Sequence, residues 1–399
     1  MAETKIKLEN VYKIFGPHPE RGIEFVEQGM SKEKISEEYK LTVGVNNVSF
    51  EVKEGEILVV MGLSGSGKST LVRCINRLIE PTGGKIFVSG EDITQLDENG
   101  LREMRLKHFG MVFQNFALFP HRTVSQNVGY GLEIQGIEVE ERKRRSQEAL
   151  EQVGLKGWGD SYPAQLSGGM QQRVGLARAL ALDSDIMLMD EAFSALDPLI
   201  RRDMQDELLE LQSRMQKTIV FISHDLDEAL KIGDRIVLMK DGYVVQEGTA
   251  EEILTKPADE YVAKFVEDVD MSKVLTAETV MKHSEALANW RTDGPRAALR
   301  KMRKAGISSI FVVEDSNHLV GVVMAEEAAK AVENGEKTLE SILIRDIKTV
   351  SPDIAANDLF AELSEIPYPL AVVDEEKRLR GVIVRGTILA ALSDRGVVE

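Results

Sequence analysis

The run Gly62-Leu-Ser-Gly-Ser-Gly67-Lys68-Ser69-Thr70 sets three glycines, a lysine and several hydroxyl residues at a spacing suited to holding phosphate. Gly62, Gly65 and Gly67 let successive backbone N–H groups turn inward around phosphate oxygens, and Ser64 and Ser66 sit between them in the same loop. A helix starting near Lys68 adds its positive N-terminal end. In this reading Lys68 pairs with β- and γ-phosphates, Ser69 ligates Mg²⁺, and Thr70 completes the phosphate-binding set. The preceding EILVVM reads as a strand and the following STLVRCINRLI as a helix, the context such a loop needs. With average residue usage, its two motif glycines, lysine and hydroxyl residue coincide by chance on the order of once per hundred chains this long.

The loop alone leaves kinases, GTPases and helicases open. A second cluster narrows the choice: Leu166-Ser167-Gly168-Gly169-Met170-Gln171-Gln172-Arg173, a helical VGLARALAL, then Ile186-Met-Leu-Met-Asp190-Glu191. This order resembles the signature and Walker B strand of the ABC ATPases. The resemblance implies that Asp190 holds Mg²⁺ and that Glu191 orients and deprotonates the attacking water. It implies that Gln114, in MVFQNFALFP, senses the metal site next to the surface that grips a membrane subunit. Ser194-Ala-Leu-Asp197 corresponds to the family's D-loop, and His224, after TIVFIS, to its switch histidine. An aromatic is expected upstream to stack on adenine; Phe15 is the first candidate and Tyr12 the second. The signature of one subunit faces the phosphate loop of another in this family, so Ser167, Gly168 and Gly169 are expected to close on a partner's γ-phosphate. One loop and one signature per chain therefore imply a dimer with two shared ATP sites.

These residues need elements to position them. Short apolar runs, EILVVMG, KIFVSG, DIMLMDE, TIVFISH and RIVLMK, alternate with helical stretches up to about residue 270, predicting an α/β core with parallel strands. Residues 17–42 read as a helical insert where a hairpin turn would suffice. A linker is expected at 271–275. Beyond it, Val312, Val313, Gly321, Val322 and Val323 recur sixty residues later as Val372, Val373, Gly381, Val382 and Ile383. One duplication of strand, acidic turn and strand predicts two subdomains face to face, at 276–335 and 336–399.

The 399 residues exceed a typical single domain. A net charge of −17 argues against a broad phosphate-backbone footprint, and so against nucleic acid as partner. No stretch approaches 18 consecutive apolar residues, and Glu3 and Glu9 lie where a signal peptide would be apolar, so the expected place is the cytoplasmic side of the membrane. Cys74, in an apolar helical pattern, reads as packing, and Trp158 and Trp290, isolated from any aromatic cage, read as packing or surface residues. Glu138, Glu140 and Glu141 precede Arg142, Arg144 and Arg145 by four residues and read as surface ion pairs. Arg296, Arg300, Lys301, Arg303 and Lys304 share a helix that is either an ordinary solvated face or a cationic one for anionic lipid or nucleotide.

Over essentially the whole length, including MLMDEAFSALDPLIRRDMQDEL and FISHDLDEALKIGDRI, the chain resembles ATPases of glycine betaine/proline betaine importers, whose C-terminal repeats are paired CBS subdomains. The resemblance implies an osmoprotectant cargo, a separate permease, and a binding protein acting through it. CBS pairs commonly bind adenine nucleotides with an Asp shortly after the second strand's glycine. Here VVMAEEA follows Gly321 and VIVRGTI follows Gly381, so that Asp is missing from both, and a nucleotide, a cyclic dinucleotide or ionic strength stand as alternative signals. Rival readings are another amine or amino acid as cargo, and a nucleic-acid-associated ABC ATPase, which would carry two cores or a long coiled coil.

Overall fold

In the computed structural model, which describes residues 3–114, 116–267, 269, 275–284, 286–364, 366–384 and 386–387, the continuous apolar runs and the alternating ones go to different sheets. The chain divides into two units, residues 1–267 and 268–399. In the first, the strands are β1 (Thr4–Phe15), β2 (Thr42–Lys53), β3 (Ile57–Met61), β4 (Gly83–Val88), β5 (Glu91–Asp92), β6 (Phe109–Phe113), β7 (Ile186–Asp190), β8 (Thr218–Ser223), β9 (Arg235–Lys240) and β10 (Tyr243–Gly248). The larger sheet runs β10-β9-β3-β8-β7-β6, parallel except for β10. β3, β7 and β8 are buried at every residue, as strands covered on both faces must be.

KIFVSG, grouped by its apolar content with the parallel strands, is instead β4 in an antiparallel sheet ordered β2-β1-β4-β5. Its alternation explains the difference: Ile86 and Val88 are buried while Lys85 and Phe87 are not, the pattern of a sheet with one covered face. The insert forms α1 (Glu20–Glu27) and α2 (Lys32–Tyr39), and α3 (Lys68–Ile75) follows the phosphate loop. Ile35 is fully buried against Ile14, Leu41 and Val43, and Phe25 stacks on Tyr39 with ring centroids 4.0 Å apart. The insert is thus a small packed layer on the end of β1 and the start of β2. Cys74 is buried in α3, and burial pushes its thiol up to about 12.

In the second unit, β11 (Leu287–Asn289), β12 (Ser309–Glu314) and β13 (His318–Met324) form one sheet; β14 (Thr349–Val350), β15 (Leu370–Val373) and β16 (Leu379–Ile383) form the other. Val312 pairs with Gly321 and Val372 with Gly381, each followed by a register shift at the next valine, so the duplication extends to the bulge. Phe311, Val313 and Val322 pack with Ala371 and Leu379, which joins the repeats face to face.

Leu275, placed in the expected linker, is buried with Leu359, Leu370 and Val372 of the second repeat, and Lys282 exchanges two backbone bonds with Val382; 271–274 lie outside the described residues. Reciprocally, Ile344 exchanges two backbone bonds with Val322 of the first repeat. The sequence boundary at 335/336 is therefore crossed in both directions. On the basic helix Pro295–Ala305, Lys301 is neutralised: its Nζ donates to Asp293 at 2.6 Å and to the Leu287 carbonyl. Trp290 lies under Arg345, whose guanidinium carbon is 4.9 Å from the ring centroid, and Trp158 is exposed. Arg145 bonds Glu141 four residues earlier as expected, but Arg142 reaches Glu133 and Arg144 bridges Glu141 and Glu148.

Candidate active site

Four parallel strands bring their carboxyl ends to one place, and the candidate residues follow directly: Gly62 after β3, Gln114 after β6, Asp190 and Glu191 at the end of β7, His224 after β8. Gly62, Gly65 and Gly67 all have φ in the left-handed region, at 146°, 80° and 100°. A Cβ on Gly67 would lie 2.1 Å from the Gly44 carbonyl oxygen, and one on Gly62 2.2 Å from that of Met239. The loop is therefore wedged between β2 and the β9–β10 turn. Gly242 N–H donates to the Ser66 carbonyl, fixing the other side.

Lys68 points back under the loop, its buried Nζ donating to the carbonyls of Gly62 (2.7 Å) and Leu63 (3.1 Å). Burial pulls this ammonium below its ordinary pKa, and the Glu191 and Asp190 carboxylates only oppose that. A buried cation bonded to neutral carbonyls, beside a buried Ser66 hydroxyl with no hydrogen-bond partner among the described residues, fits an incoming phosphate. Ser64 is exposed on the rim, and Thr70 lies in the first turn of α3.

Ser69 Oγ donates to Asp190 Oδ1 at 2.8 Å, and Arg73 donates to Asp190 Oδ2 at 3.1 Å. Arg73 was not expected; it stands four residues after Ser69 on the same face of α3, a spacing that would have shown it. A hydroxyl, a carboxylate and the nearby Gln114 amide are hard donors suited to Mg²⁺. Among the described residues no group of three or more His, Cys, Asp or Glu could hold a metal alone, so phosphate oxygens and water would complete the shell.

Glu191 adopts φ 48°, left-handed for a non-glycine residue, which turns its carboxylate off the end of β7. Its Oε2 accepts from Gln114 Nε2 at 3.2 Å and lies 3.5 Å from His224 Nδ1. Ser194 donates to the Glu191 carbonyl through both N–H (3.1 Å) and Oγ (2.9 Å), so the D-loop closes on the same residue. Arg201 then ties the D-loop carbonyls of Ser194 and Leu196 to Asp225, next to His224.

Phe15, exposed at the end of β1, lies so close to Gly44 that a Cβ there would come 2.9 Å from its ring and 3.3 Å from Thr70 Cγ2. The ring therefore stands near the start of α3, with Lys13 Nζ 4.9 Å from its centroid. Tyr12 is excluded as the stacking residue: it is buried, facing Gly83, and burial with nearby Glu27 raises its hydroxyl pKa. Ser167 caps the helix Gly168–Ala181 by accepting from Met170 N–H at 3.3 Å. Ser167 and Gly168 are exposed and Gly169 half-buried, and within the described residues none of the three bonds the phosphate loop.

A family model described as ABC transporter matches residues 45–194, and one described as CBS domain matches 291–334 and 339–394. The glycine betaine/carnitine transport ATP-binding protein of Listeria monocytogenes is 56% identical over 394 residues, 99% of each chain. The chain belongs to the ABC transporter ATP-binding subunits. This ABC subunit is also 48% identical over 395 residues to the glycine betaine/proline betaine transport ATP-binding protein of Escherichia coli, covering 98% of both. Its cassette resembles a solved dimeric ATP-binding cassette in a post-hydrolysis state bound to ADP and Pi, with a TM-score of 0.53 and 34% identity over 61% of this chain and 98% of that one. As an ABC subunit it binds ATP and couples hydrolysis to transport, and among its described residues no helix is long and apolar enough to cross a membrane.

Proposed function

We propose that two copies of this chain sandwich two Mg²⁺-ATP molecules and drive import of glycine betaine or proline betaine through a separate permease at the cytoplasmic face of the membrane. The observation that carries the motor is the convergence of Gln114, His224 and the D-loop on Glu191 beside the phosphate loop. The cargo reading rests on the transport proteins compared above, and the dimer on exposed Ser167 and Gly168, whose helix N-terminus is open to a partner's phosphate.

Lys68 and the loop N–H groups hold the β- and γ-phosphates, and Thr70 with Phe15 borders the rest of the nucleotide. Ser69, Asp190 and Gln114 would hold Mg²⁺, which when bound neutralises charge on the phosphate oxygens. Glu191 takes a proton from water aligned on the γ-phosphorus, and His224 holds that carboxylate and the terminal phosphate in register. Ser167, Gly168 and Gly169 of the partner copy close over the same phosphate. The paired CBS repeats regulate the cycle, with a nucleotide, a cyclic dinucleotide or ionic strength as signal; the binding protein acts only through the permease.

The test is ATPase activity and glycine betaine uptake in vesicles holding the chain and its permease, across internal ionic strength, with and without residues 272–399. Salt-dependent uptake lost on truncation supports the whole reading. ATP hydrolysis without betaine uptake keeps the motor and discards the cargo; uptake that ignores both salt and truncation discards the regulatory role.

A further inference from the structure

The insert does more than fill space beside β1. Lys32, the first residue of α2, extends its Nζ to within 3.3 Å of the Gly65 carbonyl oxygen, at the tip of the phosphate loop. We propose that Lys32 is a positioning residue of the nucleotide site, through which the insert sets the affinity of the phosphate loop for ATP. This rests on the reading of that loop as the ATP site.

The Gly65 carbonyl and the Ser66 N–H belong to one peptide unit. Before a phosphate arrives, that N–H donates to the Leu63 carbonyl at 3.2 Å. An ammonium on the carbonyl side polarises the unit and leaves its N–H a better donor to an anion, while adding positive charge to a loop that binds by accumulated positive potential. Among the described residues Lys32 is in no direct ion pair; the adjacent Glu33 carboxylate interacts with it electrostatically without bonding it, so the ammonium stays on the Gly65 carbonyl.

The rest of the insert holds Lys32 in place. Ser31 caps α2 by accepting from Lys34 N–H at 3.3 Å, and one turn on, Ile35 is fully buried against Ile14, Leu41 and Val43. The chain closes the insert at Gly16, whose φ of 124° is needed where a Cβ would meet the Lys40 carbonyl at 2.8 Å. Lys32 is thus carried by a packed element rather than a loose loop. Lys68 grips the loop from within and Lys32 from its rim, and only the first belongs to the glycine-rich motif.

The experiment compares the full chain, assembled with its permease, as wild type, Lys32→Ala and Lys32→Arg, by ATPase kinetics and by titration with a fluorescent ATP analogue at low and high salt. Lys32→Ala is expected to raise KM for ATP about 2- to 5-fold, the scale of an exposed charge interaction, with kcat within about 2-fold of wild type. The difference shrinks at high salt, and Lys32→Arg restores the affinity. Wild-type KM in Lys32→Ala, a loss in kcat without one in KM, or no rescue by Arg would each overturn the role. A wild type that binds no nucleotide analogue would instead remove the ATP-site reading, and this inference with it.

Discussion

A single carboxylate oxygen, Glu191 Oε2, faces both His224, whose Nδ1 is 3.5 Å away, and Gln114, whose Nε2 donates to it at 3.2 Å. Three strands end at this point, so movement of β6 or β8 relative to β7 reads out on the carboxylate proposed to handle the water. Glu191→Gln keeps the volume and the loop but removes the carboxylate proposed to accept the water's proton. It is expected to bind ATP, to lose hydrolysis by on the order of 10²-fold or more, and to accumulate as a closed dimer. Phosphate release and gel filtration with ATP test this; near-normal turnover would take the base role from Glu191.

Gly67→Ala addresses the loop itself. The backbone there is left-handed at φ 100°, and the added Cβ would stand 2.1 Å from the Gly44 carbonyl oxygen. Backbone cannot yield as a side-chain tip does, so the loop must shift off the start of α3. The expected outcome is nucleotide affinity reduced at least about 10-fold in titration while the circular dichroism spectrum stays that of wild type, since strain of this kind costs about 1–3 kcal/mol locally.

Glycine spacing and strand ends made much of the site legible, because a phosphate loop and an acid after a buried strand are local patterns. Lys32 was not legible: it lies thirty-three residues from Gly65, and only the folded insert brings the two together. The exchange of Lys282 and Ile344 between the CBS repeats was hidden for the same reason, since nothing local in either segment says which copy of the repeat its backbone will pair with. KIFVSG misled through composition, its alternation being the better guide, and Lys301 looked free until the turn carrying Asp293 was seen to fold back on it.

Asp185 marks a pH-sensitive anchor of the cassette. Burial pushes its carboxyl up, but bonds from Lys5 (3.1 Å) and His108 (3.1 Å), with their charges, more than offset that and hold it below the ordinary aspartate value. A lowered value means the folded state favours the carboxylate, so the stability it contributes is present above the ordinary aspartate range and is lost as pH falls through the folded value. Its side chain is 49% exposed, which limits Asp185→Asn to a loss of about 0.5–1 kcal/mol at pH 7. Denaturation curves of the two proteins are expected to converge at acid pH; a constant gap would discount the ion pairs.

Glu228 predicts the opposite slope. It is buried, accepting from Gln205 Nε2 at 3.0 Å and from Ser223 Oγ, and Ser223 Oγ accepts from Asp225 N–H at 2.9 Å, so the group holds the turn that carries His224. Burial raises its pKa, and the two hydrogen bonds only moderate this. A raised carboxyl value means that the folded state holds its proton more tightly than the unfolded chain. Stability is therefore lost as pH rises from the ordinary glutamate range through the raised value. Glu228→Gln keeps the volume and one acceptor and is expected to flatten that part of the Tm–pH profile. Glu228→Ala leaves the buried Gln205 amide without its acceptor, costs about 1–3 kcal/mol, and lowers kcat more than it raises KM for ATP, because the disturbed turn carries His224 rather than the phosphate loop. If both variants kept the wild-type kcat, the network would serve folding alone; if Glu228→Gln kept the wild-type pH slope, the carboxyl would not be the group that titrates.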